Sequence, residues 1–260
     1  METDVHILAI WQVAIGYVFV LLLLAILRWR GIRREKLLVL ATLRMTVQLV
    51  LVGYVILFVI EEAHPLITFA IILVMLAFAI HTIIRKFKDD MRPSLKRVVA
   101  VSMTLGTLPV LAYFLWAVIQ VRPYYDPQYV IPITGMIIGN SMTGISLGVQ
   151  TMVKRFKRGK AEIEELLILG ATPKQASASI VNDAFDAAIL PTLNSMLGMG
   201  IIFLPGMMTG QILSGVDPTM AILYQIVVML GILGGVSMTT YVFLLLGHKT
   251  FFNNAQQLIG

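Results

Sequence analysis

The chain contains no cysteine, which excludes disulfides and thiolate chemistry outright. Charge is scarce too: 13% of its 260 residues are Asp, Glu, Lys or Arg, where ordinary soluble domains carry about 25%. No GxxxxGK[ST] phosphate loop occurs, and no HExxH or GxSxG, so the chain shows no nucleotide-hydrolysing or peptidase engine of its own. His6, His64, His81 and His248 are scattered, with no second ligand type three or four residues away inside an apolar run, so no metal cage is recognisable. The first apolar run follows "METDVH", an acidic start without the positive region of a signal peptide, and reads as a retained span.

What fills the chain instead is hydrocarbon. Hydrophobic residues make up 58% of it and mean hydropathy is +0.88, which is the membrane class. A crossing of a roughly 30 Å hydrocarbon layer takes about 20 apolar helical residues. Seven stretches qualify: 7–27, 37–60, 65–84, 98–119, 129–153, 188–213 and 220–246. Each must be helical, because lipid offers no partner to a backbone amide or carbonyl.

The net charge of +6 does not form a nucleic-acid face. Eighteen of the 20 basic residues fall in alternate loops: Arg28 to Lys36, Arg85 to Arg97, Lys154 to Lys174, and Lys249. The opposite loops hold only Arg122, with Glu2, Asp4, Glu61, Glu62, Asp126 and Asp217. Positive residues mark the cytoplasmic side, so the amino terminus is expected outside and the carboxy terminus inside. Tyr124, Tyr125 and Tyr129 then form an outer aromatic belt.

The sizeable aqueous feature is an inner insert, about 158–187, carrying "EELLILGATPKQAS". Ile163, Leu166 and Leu167 share one helical face, with Glu162 and Glu165 on others. Gly170 stands where a helix commonly ends in the left-handed conformation. Thr172 suits an N-cap, Pro173 the first helical position and Gln175 the third, which together predict a capping box. The segment reads as helix, tight turn, and a second helix leading into the sixth span. It is either a plain connector or a docking element for a partner groove. A DNA-binding reading fails, because the second helix offers only Lys174 near its start.

This segment resembles the coupling element of ABC transporter permeases, in which an acidic residue precedes a glycine by six positions, as Glu164 precedes Gly170. The nutrient-importer pattern continues to Ile-x-Leu-Pro; here Ile180 fits but Asn182 and Asp183 replace Leu-Pro. "LRMTVQLVLVGYV" (43–55), "VIPITGMIIGNSM" (130–142), "LGATPKQAS" (169–177) and "LPGMMTGQILSGVDPTMAILYQI" (204–226) resemble the FetB family of ABC permeases. That family is associated with bacterial iron export and includes plant relatives linked to aluminium tolerance. The resemblance implies an all-α permease subunit of a bacterial inner membrane, acting as two copies with two separate ATPase subunits. This chain would then bind no cofactor; ATP and Mg would sit on the partner. Coupling to that ATPase would fall on Glu164, Glu165, Gly170, Ala171, Thr172, Pro173, Lys174 and Gln175. The implied cargo is a metal ion, iron first, moving outward.

Polar residues inside spans are costly and are candidate pathway groups. Arg44 and Gln48 share a face of the second span; the alternative for Arg44 is snorkelling to the headgroups. Asn182, Asp183 and Asp186 precede the sixth span and offer oxygen ligands suited to hard cations, or else form a solvated face paired with basic loops. Asn194 follows, then Pro205-Gly206 is expected to break the helix before Met207 and Met208, a feature of transporter binding sites. Met196, Met199, Met207, Met208, Met136 and Met142 offer soft thioethers, with packing as the plainer role. Asn140 lies beside one of three GxxxG pairs: Gly135/Gly139, Gly144/Gly148 and Gly231/Gly235. The rival readings are a seven-span receptor or an ATP-independent secondary transporter. Short outer loops weigh against the first, and the absence of an internal repeat against the second.

Overall fold

A computed structural model describes residues 9–253 and 255–259, so Glu2, Asp4 and His6 of the expected outer tail lie outside the described residues. The chain is all-α. Its helices are α1 (Ile10–Gly16), α2 (Val18–Trp29), α3 (Glu35–Glu62), α4 (Pro65–Lys86), α5 (Pro93–Tyr113, continued by a π turn Phe114–Ile119) and α6 (Pro127–Arg158). They are followed by α7 (Lys160–Ile168), α8 (Pro173–Ala176), α9 (Ala178–Gly198), α10 (Gly206–Leu213) and α11 (Pro218–Gly247).

Local chemistry sets the starts. Asp126 and Asp217 each stand before a proline and accept from the amide two residues on, Gln128 at 3.0 Å and Thr219 at 2.8 Å. Proline at the first helical position forfeits only an amide that has no intrahelical partner, so Asp-Pro is an efficient start for α6 and α11. The carboxylates of Asp126 and Asp217 are therefore helix caps.

Among the described residues, six helical segments are long and apolar enough to cross a membrane: Ile10–Trp29, Glu35–Glu62, Pro65–Lys86, Pro93–Ile119, Pro127–Arg158 and Pro218–Phe251. These match six of the expected stretches. The expected sixth, 188–213, is not one helix. Its first part belongs to α9, which begins at Ala178 and ends at Gly198, and the break starts at Met199, earlier than Pro205. Gly200 adopts φ +83° and Met199 pairs with Phe203 in an isolated bridge. Asn182, Asp183, Asp186 and Asn194 keep α9 more polar than the other six.

Close approaches at glycines show how the helices run. A Cβ on Gly235 would lie 2.6 Å from Ile137, one on Gly144 2.9 Å from Val236, and one on Gly247 3.5 Å from Met152, so α6 and α11 are parallel. Gly144 meets the carbonyl of Ala188 and Gly148 that of Ala184, so α9 is antiparallel to α6. Gly106 meets Thr239 and Gly231 meets Phe114, so α5 is antiparallel to α11. Small residues let backbones approach where lipid gives no hydrophobic drive between helices. Two of the GxxxG pairs thus pack inside the bundle. In the third, Gly135 faces Met75, while Gly139 has open space beside it.

Two buried clusters fill the bundle. One end gathers Ile83, Phe87, Leu95, Val149, Phe156 and Phe243, and the other Ile72, Leu111, Phe114, Val130, Ile133 and Val228. The first is the end that carries the loops rich in Lys and Arg, the side expected in the cytoplasm. There Phe251 stacks on Phe156 at 4.0 Å, and the Ile259 amide donates to the Phe251 carbonyl at 2.8 Å, so the tail closes that end. By contrast α1 and α2 bury no residue and α3 buries only Val59, leaving an apolar hairpin on the flank.

Candidate coupling corner and polar helix face

The corner after α7 follows from three residues. The amide of Gly170 donates to the Leu167 carbonyl at 3.1 Å and that of Ala171 to Leu166 at 2.9 Å. Gly170 sits at φ +91°. This is a Schellman end, which occupies carbonyls that the last turn of a helix would otherwise leave unpaired. Thr172 then caps α8: the Gln175 amide donates to its Oγ1 at 3.4 Å, and its own amide donates to Gln175 Oε1 at 2.9 Å. The capping box around Pro173 is as the sequence implies. The following helix is notched at Ser177, whose buried hydroxyl donates to the Pro173 carbonyl at 2.7 Å. Replacing Thr172 by Ala should cost about 1 kcal/mol of local helix stability. The check is hydrogen exchange, with faster exchange at Gln175 and Ala176 and none in α6.

Ile163 anchors α7 to the bundle at 2% exposure, and Ala176 and Ser177 anchor the far side. Between them the corner faces outward. Glu164, Glu165, Gly170, Thr172, Lys174 and Gln175 are exposed, with Ala171 and Pro173 half-buried. Glu164 pairs with Lys160 at 3.8 Å, a solvent-screened contact of small energetic weight. Two further residues dominate the surface: Ile168 is 85% exposed and Leu169 76%. Reasoning from the amphipathic face passed over them because they lie off the Ile163 stripe. The available signal was two large apolar residues immediately before a glycine stop in a water-facing loop.

The second feature is the outward face of α9. Asn182, Asp186 and Asn194 are exposed on it, while Ala184 and Ala188 pack against α6. Asp183 instead forms an ion pair with Arg155 of α6. The match of Ala184 with Gly148 and Ala188 with Gly144 puts Asp186 level with residue 146, about 12 Å along α6 from Lys154. Asn140 and Thr143 are exposed on α6. Asn140 donates to its own helix at the Met136 carbonyl, 2.8 Å away.

Other candidates fall elsewhere. Arg44 and Gln48 line a cleft formed by α3 alone, and the Arg44 guanidinium sits 5.2 Å over the Phe78 ring of α4. No residue of α9 lines that cleft. Met136, Met196, Met199 and Met207 pack on the cluster around Ile133 and Val228, Met142 on the one around Val149 and Phe243, and Met208 is buried. Among the described residues no three His, Cys, Asp or Glu side chains form a group that holds a metal ion.

The model of the uncharacterised protein family UPF0014 matches residues 10–252. The chain belongs to the UPF0014 family. It is 36% identical over 236 residues to the UPF0014 membrane protein slr1647 of Synechocystis, covering 91% of each chain. It is 34% identical to the probable iron export permease protein FetB of Escherichia coli, over 83% of this chain and 82% of FetB. It is 33% identical to protein ALUMINUM SENSITIVE 3 of Arabidopsis thaliana, over 83% of this chain and 77% of that one. No solved structure matches. As a UPF0014 chain with six long apolar helices among the described residues, it is a multi-pass membrane protein.

Proposed function

We propose that this UPF0014 chain is the membrane subunit of an ATP-driven exporter, working as a pair of identical chains with a separate ATPase on the cytoplasmic side. The observation that carries the reading is the corner at Gly170: a Schellman end and a capping box hold Ile168 and Leu169 out from the basic end of the bundle. A rigid apolar knob with an acidic flank at Glu164 and Glu165 suits a groove on a partner protein. α9 carries any push from this corner into the bundle, because it follows α8 across a single residue and packs along α6 and α11. Nucleotide closure on the partner then shifts the population between inward- and outward-open arrangements.

The pairing of two copies has its own support. Asp186 is exposed on a helix that lies against α6, well inside the basic end. A carboxylate facing hydrocarbon is costly, so such groups face a partner or a water-filled path. We assign Asp186, Asn194 and Asn140 to that path, the second copy completing it. The cargo is a metal ion: the FetB relative is named as a probable iron export permease, and carboxylate and amide oxygens suit a hard cation.

The test is co-purification of the permease with an ATPase subunit. Ile168→Asp with Leu169→Asp should abolish the complex, since it places two carboxylates in an apolar contact. The unfolding midpoint of the permease should stay put, because both side chains are outside its core. Undiminished co-purification would remove the docking assignment. ATP-driven release of iron from reconstituted vesicles, compared with copper and manganese, tests the cargo separately.

A further inference from the structure

Two cavities join on the flank formed by α9 and α11. The inner one, about 300 Å³, has exposed Lys174 and Asn182 at its rim and is lined further by Phe185, Tyr241 and the buried Leu244 and His248. Phe185 and Tyr241 also line a trough of about 740 Å³ that continues between α5 and α11 as far as Val227. From His248 to Val227 the joined groove follows about 30 Å of α11.

Backbone features open the trough. Pro109 interrupts the amide ladder of α5, and the helix ends in a π turn at Phe114–Ile119. Opposite them α11 presents Gly231 and Gly234. Phe114 fills the space over Gly231, whereas a Cβ at Gly234 would meet only Val110, at 3.5 Å. The trough is carbon-lined apart from Ser237 and the Tyr113 and Tyr241 hydroxyls.

The mouth has the opposite character. Lys174 and Asn182 are exposed, and Lys174 has no carboxylate partner among the described residues. His248 Nδ1 donates to the Leu244 carbonyl at 2.8 Å, which fixes the ring against its own helix. This end of the bundle holds the basic loops, where anionic headgroups concentrate.

A cation at headgroup level above a hydrocarbon trough fits a molecule with one negative head and a long chain. We propose that the groove seats one anionic phospholipid of the inner leaflet, its phosphate on Lys174 and Asn182 and an acyl chain running past Phe185 and Tyr241 into the trough. Lys174 belongs to α8, in the corner that turns at Gly170, so the lipid braces that corner from the membrane side. The site needs no ATPase partner, so lipid retention is read without one even though Lys174 also belongs to the coupling segment.

The test uses the full-length chain in detergent, with retained lipid read by native mass spectrometry. Three probes are compared: phosphatidylglycerol, phosphatidylcholine and glycerol 1-phosphate. Phosphatidylglycerol should be retained about fivefold better than phosphatidylcholine, the effect of one Lys near a charged headgroup. Glycerol 1-phosphate should not bind. Lys174→Gln should bring phosphatidylglycerol down to the phosphatidylcholine level, and Gly234→Leu should lower retention of both lipids by filling the trough. Ser237→Leu serves the same purpose if Gly234→Leu unfolds early. The proposal is overturned if Lys174→Gln leaves the headgroup preference intact, if a trough-filling variant that stays folded retains both lipids at the wild-type level, or if glycerol 1-phosphate binds as well as the lipid. A second copy of the chain occupying this face in place of lipid overturns it equally.

Discussion

Gly170→Pro is expected to reduce permease-stimulated ATP turnover to that of the ATPase alone while leaving the helical bundle folded. Three costs fall on one residue. Proline holds φ near −65°, and Gly170 sits at +91°. Proline also removes the amide that donates to the Leu167 carbonyl at 3.1 Å. It disfavours the helical conformation of the residue before it, and Leu169 has φ −73° and ψ 1°. Together these exceed the roughly 3 kcal/mol that proline costs in a helix interior. The last turn of α7 must unwind, taking Ile168 and Leu169 away from their fixed direction. The core does not share the cost, because a Cβ at Gly170 meets nothing within 4 Å. Gly170→Ala should lie between, since alanine keeps the amide but bears about 1–2 kcal/mol in the left-handed region. The measurements are ATP turnover with and without the permease and the permease unfolding midpoint. Full stimulation in the proline variant would show that the corner transmits nothing.

The corner is also where sequence and structure agree most closely. Gly170, Thr172, Pro173 and Gln175 act through bonds spanning at most five residues, so their roles are written in local spacing. The long apolar helices are legible for a similar reason: length and hydropathy are properties of a single segment. The α9–α10 region is different. Its hydropathy is interrupted by Asn182, Asp183, Asp186 and Asn194, and its break is set by Gly200 together with a pairing of Met199 and Phe203 that no periodicity reports. Partners are the other illegible part. Nothing in the spacing announces that Asp183 meets Arg155, or that Arg44 lies on Phe78 rather than near α9. Those contacts depend on which faces the helices turn to one another, and that is decided by small residues such as Gly144 and Gly235 acting between distant segments.

The largest stability effect is expected at Gly106→Ala, a single methyl group. The added Cβ would lie 2.4 Å from the Cα and 2.7 Å from the amide nitrogen of Thr239, so it meets backbone that cannot rotate aside. Thr239 is itself held from behind, its buried hydroxyl donating to the Gly235 carbonyl at 2.6 Å. α5 and α11 must therefore separate along their length, loosening the contact of Gly231 with Phe114 as well. Overpacking of this kind costs about 3 kcal/mol or more when backbone has to move. At roughly 2–4 °C per kcal/mol for a chain of this size, the unfolding midpoint should fall by about 10 °C. Gly234→Ala is the control on the same interface. Its Cβ would make an ordinary contact with Val110 at 3.5 Å, and alanine is favoured over glycine in a helix by up to about 1 kcal/mol. That variant should match or exceed the wild-type midpoint. Thermal unfolding in detergent distinguishes the two, and equal midpoints would mean that α5 and α11 do not approach through Gly106.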